Sequence, residues 1–168
     1  DYTENSVFIV QDAFTSFYDA PSVLAVLLLL RKCGFDPQVI PFRDSGKSRH
    51  VKGFKPAFKK TVLENCAYYR PYANKDLPMV GIDPSITLVY RDEYPKALGK
   101  HPGFDVLLLQ EFLHANLDKL PTEVKAASAP VALFSHCTEK TAVPQSARLW
   151  QDIFARFGLI VQPVPTGC

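Results

Sequence analysis

The sequence lacks any hydrophobic run long enough to cross a membrane. Its longest apolar stretch, Val23 to Leu30, has eight residues, whereas a membrane-spanning helix needs about 20. The sequence also lacks a strong excess of either charge, because 19 Lys and Arg stand against 17 Asp and Glu. A net charge of +2 is far from the strong basicity of nucleic-acid-binding proteins. We therefore expect neither a membrane span nor a nucleic-acid partner.

Targeting signals are missing from the first residues of the sequence. Asp1 to Asn5 are acidic and polar, so they predict no signal peptide. Met79 is the only methionine, which indicates a domain taken from a longer protein.

Cysteine is scarce, with four in 168 residues, too few for a secreted fold held together by disulfides. This scarcity favours a reducing, cytoplasmic location. Cys33 lies among apolar residues and Cys66 lies in a helical stretch, so we expect both to be buried structural thiols. Cys137 and Cys168 follow predicted strands instead, and they are the candidate functional thiols.

What the sequence does contain is an alternation of short apolar strands and amphipathic helices. Strands are predicted at 7–10, 38–42, 77–82, 105–109, 131–134 and 159–164. Helices are predicted at 19–34, 54–69, 83–95, 112–120 and 146–157, with a long loop at 43–53 and a linker at 121–130. Apolar strands that alternate with helices predict an α/β fold, in which a mostly parallel sheet has helices on both faces.

The end of the sequence repeats its beginning at an offset of 124 positions. Without a gap, residues 7–13 fall on residues 131–137, and Gly34 falls on Gly158. We therefore expect two pseudo-repeated Rossmann-like halves.

Only the second of these halves has thiols at two matching loop positions. Ala13 faces Cys137 and Asp44 faces Cys168 at the same offset. Since the carboxyl ends of parallel strands meet at one edge of a sheet, both thiols are expected at that edge. Converging thiolates suit a metal ion or an iron–sulfur cluster, although two ligands do not complete a tetrahedral site. The alternative is two unrelated surface thiols.

Other polar groups are predicted at the same edge. Asp12 follows the first strand, Asp83 the third, Glu111 the fourth and His136 the fifth. A helix N-terminus and His136 would both favour the thiolate of Cys137. The alternative for the two aspartates is that they only cap helix N-termini.

A basic segment covers residues 43–60, where seven Lys and Arg stand against one acid, Asp44. It could contact an anionic partner or the phosphate of a cofactor. The alternative is an ordinary solvated loop and helix face.

Thirty residues separate Cys137 from Cys168, which ends the segment Pro165–Cys168. This arrangement resembles the motif of the cysteine-rich (CCG) domain found in heterodisulfide reductase subunits. A more specific resemblance is to the C-terminal region of large bacterial FAD-linked oxidases that oxidise D-2-hydroxy acids. The segments that carry it are 17–21, 41–43, 50–54 and 81–94. It implies a flavin domain with FAD and a ferredoxin-like domain in the same protein, and a location that is cytoplasmic, at most peripheral to the inner membrane.

The first half departs from the pattern of this family. Ala13, Asp44–Gly46 and Asp83–Ile86 stand where the family has cluster cysteines. Any cluster or redox thiol site is therefore expected in the second half.

The resemblance implies a CCG-type domain over 1–168, with a first half over 1–120 and the start of a second half over 121–168. We predict a redox or electron-transfer module of a FAD and iron–sulfur oxidoreductase acting on a D-2-hydroxy acid such as D-lactate or D-2-hydroxyglutarate. Cys137 and Cys168 are its incomplete set of redox thiols or metal ligands, supported by His136, Asp12 and Asp83. We expect no catalytic residue and no bound cofactor in this chain alone, and its electron acceptor is not indicated. The alternatives are a degenerate docking scaffold without a cluster and a structural zinc site at the same thiols.

Overall fold

The computed structural model describes residues 2–122 and 129–165. A four-stranded sheet with the order β2-β1-β3-β4 forms its centre. These strands are β1 (Ser6–Val10), β2 (Asp36–Ile40), β3 (Met79–Gly81) and β4 (Leu107–Leu108), and all are parallel. A separate parallel pair is formed by β5 (Val131–Leu133) and β6 (Val161–Pro163). The predicted α/β fold with a parallel sheet is confirmed.

Helices connect the strands, as parallel pairing requires. They are α1 (Ala13–Phe17), α2 (Ala20–Lys32), α3 (Lys47–Val51), α4 (Lys55–Ala73), α5 (Pro84–Arg91), α6 (Glu93–Leu98), α7 (Leu109–Ala115), α8 (Cys137–Ala142) and α9 (Ser146–Arg156). A short 3₁₀ helix, Leu117–Lys119, follows α7. No helix in the described part of the chain has both the length and the apolar character that crossing a membrane requires.

The central strand β1 is buried on both faces. Phe8 and Val10 belong to a hydrophobic cluster with residues of α4, α5 and α6. Val7 and Ile9 belong to a second cluster with residues of α2, α7 and α9. This alternation follows from the two-residue period of a strand, and it places helices on both faces of the sheet.

The two parallel strand pairs have the same register at the offset of 124. Val7 pairs with Pro37 in the first sheet, and Val131 pairs with Val161 in the second. The helix that precedes each second strand also ends in the same way, because Gly34 and Gly158 both have positive φ, 82° and 73°. The internal repeat is thus present in the backbone. The proposed boundary near residue 120 stays a prediction, since residues 123–128 lie outside the described part.

Several predicted elements differ in extent. Strand β2 begins and ends two residues earlier than predicted, and β4 has only two residues. The helix expected over 83–95 is divided into α5 and α6, because Pro95 has no N–H to continue α5 and its ring clashes with the preceding turn. Helix α4 contains Pro71 near its C-terminus and continues to Ala73, and its Tyr72 packs edge-on against Phe8 with ring centroids 5.2 Å apart.

Other predictions differ from the structure in the type of element or in which side chains are buried. The loop predicted over 43–53 contains helix α3. No helix bounds were predicted for α1 or α8, although a helix N-terminus was expected near Cys137. Phe54, the first residue of the helix predicted over 54–69, caps α4 and is exposed, whereas Phe58 and Val62 of α4 are buried. Cys33 and Cys66 are buried free thiols as predicted, and burial raises the pKa of each.

Candidate functional site

A cleft of about 450 Å³ lies at the carboxyl edge of the four-stranded sheet. It is lined by the segments that follow β1, β2 and β3, which include the first residues of α1, α3 and α5. The lining residues are Asp12–Phe14, Phe42–Ser45, Lys47, Ser48, Val51, Lys52, Ser85 and Ile86. Strand β1 has β2 on one side and β3 on the other, so the chain reverses direction across the sheet at this point. Open α/β sheets bind ligands at such a switch point.

Asp12 and Asp83 both cap helices at this edge. The Asp12 carboxylate is 4% exposed and accepts hydrogen bonds from the backbone N–H of Thr15, at 2.8 Å, and from its hydroxyl. Asp83 accepts from the backbone N–H of Ile86 at 2.8 Å. The alternative interpretation of these aspartates, as caps, accounts for both contacts.

The end of β3 lies unusually close to helix α5. A Cβ atom on Gly81 would be 2.1 Å from Oγ1 of Thr87, which is closer than real Cβ atoms come. The Thr87 hydroxyl in turn donates to the backbone carbonyl of Asp83 at 2.7 Å. Glycine at position 81 therefore sets how closely the first turn of α5 approaches the sheet.

Buried polar side chains hold the loop that follows β2. Asn65 donates from Nδ2 to the backbone carbonyl of Asp44 at 2.8 Å, and Tyr94 donates from its hydroxyl to that of Ser45 at 2.9 Å. Asn65 also donates to the Tyr94 hydroxyl at 2.7 Å. Burial raises the pKa of Tyr94 far above its usual value, so this hydroxyl remains a proton donor. The loop after β2 is consequently held in place by hydrogen bonds from the buried side chains of Asn65 and Tyr94.

The second half presents His136 and Cys137 at the position equivalent to Asp12 and Ala13. Just as Asp12 caps α1, His136 caps α8, and its Nδ1 accepts from the backbone N–H of Thr138 at 3.2 Å. Cys137 is the exposed first residue of α8. This placement agrees with the predicted repeat.

Helix α8 lies beside the cleft. A smaller depression of about 220 Å³ is lined by Lys47 and Ser85, which also line the cleft, and by Thr138 and Thr141 of α8. The predicted partner of Cys137, Cys168, lies outside the described residues, so convergence of the two thiols stays a prediction.

Glu111 and His114, on helix α7, have partners away from Cys137. The Glu111 carboxylate accepts from Arg91 at 2.6 Å and from the backbone N–H of Leu108 at 2.8 Å. His114 lies 3.1 Å from the carboxylate of Asp152 on α9. These side chains therefore join elements of the fold.

The first half does not fit an iron–sulfur cluster. Its matching positions are Ala13, Asp44–Gly46 and Asp83–Ile86, which contain no thiol. Cys33 and Cys66 belong to the hydrophobic clusters on opposite faces of the sheet. Across residues 2–122 and 129–165, no group of three or more His, Cys, Asp or Glu side chains could hold a metal ion.

A buried polar network between the halves was not predicted. Gln110 donates from Nε2 to the Glu139 carboxylate at 2.8 Å and to the Ser146 hydroxyl at 2.7 Å, and Ser146 also bonds Glu139. All three side chains are buried. Glu139 stands three residues after the cap His136, and its carboxylate lies 3.3 Å from the His136 backbone N–H. That capping-box spacing is the signal in the sequence that could have located it.

Comparisons with known proteins give relatives of a single kind. The chain is 44% identical over 163 residues to a D-2-hydroxyglutarate dehydrogenase of Pantoea ananatis, covering 96% of this chain. It is 43% identical over 164 residues to that of Escherichia coli and 42% identical over 165 residues to that of Pseudomonas putida, covering 97% and 98% of this chain. No protein-family model and no solved structure matches. The chain spans 16% of the length of each of these three relatives, and it is homologous to one short part of these much longer dehydrogenases.

Proposed function

We propose that this chain is a redox module of a multidomain oxidoreductase that oxidises a D-2-hydroxy acid, with D-2-hydroxyglutarate favoured over D-lactate. The observation that carries the proposal is the identity of 42–44% to D-2-hydroxyglutarate dehydrogenases over nearly the whole chain. FAD in another domain of the protein would take the electrons from the substrate, and a ferredoxin-like domain would adjoin this module.

The position of Cys137 supports a role for the second half. This cysteine is exposed at the start of α8, at the sheet edge where the first half has Ala13. We propose that Cys137 and Cys168 act as a redox pair or, with cysteines from elsewhere in the protein, ligate an iron–sulfur cluster. As a pair, their disulfide would accept two electrons and two protons to give two thiols. Oxidation of a 2-hydroxy acid to a 2-oxo acid releases two electrons and two protons, which is what reduction of the disulfide consumes.

The test separates flavin reduction from onward electron transfer in the full-length protein. We expect Cys137→Ser to leave the rate of flavin reduction by D-2-hydroxyglutarate unchanged and to lower steady-state reduction of an external acceptor at least about tenfold. Cys33→Ala removes a buried thiol elsewhere and serves as the control. Iron analysis and thiol titration of both variants distinguish a cluster from a dithiol. Unchanged acceptor reduction in Cys137→Ser would contradict the redox role.

A docking scaffold is the second candidate, and exposed apolar side chains near the cleft favour it. Phe17, Tyr18 and Val51 are 66%, 86% and 73% exposed. Val51 lies within the basic segment 43–60, and Phe17 packs edge-on against Phe42, which precedes that segment. Such a surface suits contact with another domain. In this case Cys137→Ser is fully active, whereas a Tyr18→Ser, Val51→Ser variant slows transfer between domains.

A further inference from the structure

The cleft at the carboxyl edge of the four-stranded sheet has the size and lining of a small-molecule site, independently of Cys137 and Cys168. Its volume of about 450 Å³ lies within the usual range of small-molecule sites. Its walls combine apolar side chains, Phe14, Phe42, Val51 and Ile86, with the hydroxyl-bearing residues Ser45, Ser48 and Ser85. This mixture suits a ligand that has both a flat apolar part and polar groups.

The charges around the cleft favour an anion. Arg43, Lys47 and Lys52 line it together with Asp12 and Asp44. Asp44 is paired with Arg49, and both oxygens of Asp12 accept hydrogen bonds from Thr15. Within residues 2–122 and 129–165, by contrast, no carboxylate lies within 4 Å of the three lining cations. With Asp44 paired to Arg49, the three lining cations outnumber the remaining lining carboxylate, Asp12, so the cleft keeps an excess of positive charge.

Two of the three cations, Arg43 and Lys47, are also held in place. The guanidinium carbon of Arg43 lies 4.7 Å from the centre of the Tyr68 ring. Lys47 donates one hydrogen bond from Nζ to the backbone carbonyl of Ser85 at 2.8 Å, which leaves two of its three donors. Asn65 and Tyr94 fix the loop from which both cations project. A preorganised loop loses little conformational freedom when a ligand binds.

We propose that this cleft binds a nucleoside monophosphate, or a closely similar ring phosphate. The ring would pack against Phe14 and Phe42, the sugar would hydrogen-bond to the serine hydroxyls, and the phosphate would contact Arg43, Lys47 and Lys52. The phosphate is preferred as the anion because three cations line a cleft that also has room and apolar surface for a ring.

The test uses three probes on the full-length protein that contains this chain: adenosine 5′-monophosphate, adenosine and inorganic phosphate. Isothermal titration calorimetry gives the dissociation constant of each. We expect the nucleotide to bind at least about tenfold more tightly than either part alone. Lys52→Gln and Arg43→Gln should each weaken nucleotide binding about tenfold or more, since each removes a charge-assisted hydrogen bond. Lys59→Gln, on the exposed face of α4, is the matched control and should change it less than about twofold.

Three results would overturn the proposal. Equal affinity for phosphate and the nucleotide would indicate a surface that only attracts anions. Nucleotide binding that survives both Arg43→Gln and Lys52→Gln would place the nucleotide at another site. No heat of binding for the nucleotide at millimolar concentration would show that the cleft does not take this class of ligand.

Discussion

The hydroxyl of Tyr94 donates to the backbone carbonyl of Ser45 at 2.9 Å, across 49 positions of sequence. The same hydroxyl accepts from Asn65 at 2.7 Å. These two buried bonds connect α6 and α4 to the loop that follows β2, and thus couple the interior of the fold to the cleft.

Removal of this hydroxyl should destabilise the protein and loosen the cleft loop. Tyr94→Phe removes the donor to the Ser45 carbonyl and one of the two acceptors of the Asn65 amide, so we expect a loss of about 1–3 kcal/mol in the free energy of unfolding. Urea denaturation followed by circular dichroism measures it. Tyr68→Phe, which removes a more exposed bond to the carbonyl of Pro41, is the control and should cost about 0.5–1 kcal/mol. Equal losses in the two variants would contradict the structural role of Tyr94.

A side chain at Gly81 should displace α5. Gly81→Ala introduces a Cβ that would meet Oγ1 of Thr87 at 2.1 Å, and we expect it to lower the free energy of unfolding by about 1–3 kcal/mol. Thr87→Ala removes the nearest atom, so the double variant should recover part of that loss. A double-mutant cycle of the free energies of unfolding, obtained by urea denaturation, measures the coupling between residues 81 and 87. Strictly additive effects would show that the two residues do not meet.

The network between Gln110 and Glu139 should contribute to the attachment of α8. Glu139→Leu removes the acceptor of the buried Ser146 hydroxyl and one of the two acceptors of the Gln110 amide, and we expect a loss of about 1–3 kcal/mol in the free energy of unfolding. Glu64→Leu removes an exposed carboxylate 3.9 Å from Lys60 and should change it by less than about 1 kcal/mol. Chemical denaturation of both variants measures these free energies of unfolding. An unchanged free energy of unfolding in Glu139→Leu would mean that the network adds no stability.

Stability should fall at alkaline pH. Burial raises the pKa of Tyr69 to about 12 and also raises that of Tyr90, whereas unfolded tyrosine titrates near its ordinary value of 10.0. Between pH 10 and 12 the unfolded state therefore loses protons that the folded state keeps, so the free energy of unfolding decreases as pH rises. Each such tyrosine contributes a slope of about 1.4 kcal/mol per pH unit.

Urea midpoints measured from pH 9 to 12 check this dependence. Tyr69→Phe should reduce the slope, while Tyr18→Phe, at an exposed position, should not. A midpoint that does not change up to pH 12 would contradict the burial of these hydroxyls.

The repeat and the apolar strands could be predicted because both depend on local pattern. Residues 7–10 and 131–133 are β-branched or otherwise apolar, and their offset is preserved in the strand register. Helices α1, α3 and α8 have five or six residues, too few to show a helical period of apolar positions.

The cleft was less predictable, because its loop depends on contacts between distant residues. Asn65 lies seven positions after the buried Phe58, so a polar residue on the apolar face of α4 was visible in the sequence. Its acceptor, the carbonyl of Asp44, is 21 positions away, and no local pattern identifies it. The basic segment 43–60 is evident in the sequence. Which of its cations line the cleft, and that Arg49 instead pairs with Asp44, depends on the folded structure.

Helix α9 belongs to the second half, yet its Ile153 and the adjoining Phe157 are buried in the same cluster as Val7 and Ile9 of β1. The two-stranded sheet that α9 accompanies has exposed residues in β5 and could not stand alone. A nick in the connection between the halves would therefore not release two independently folded pieces. We expect the two pieces of the cut chain to stay associated and to unfold together in one cooperative transition.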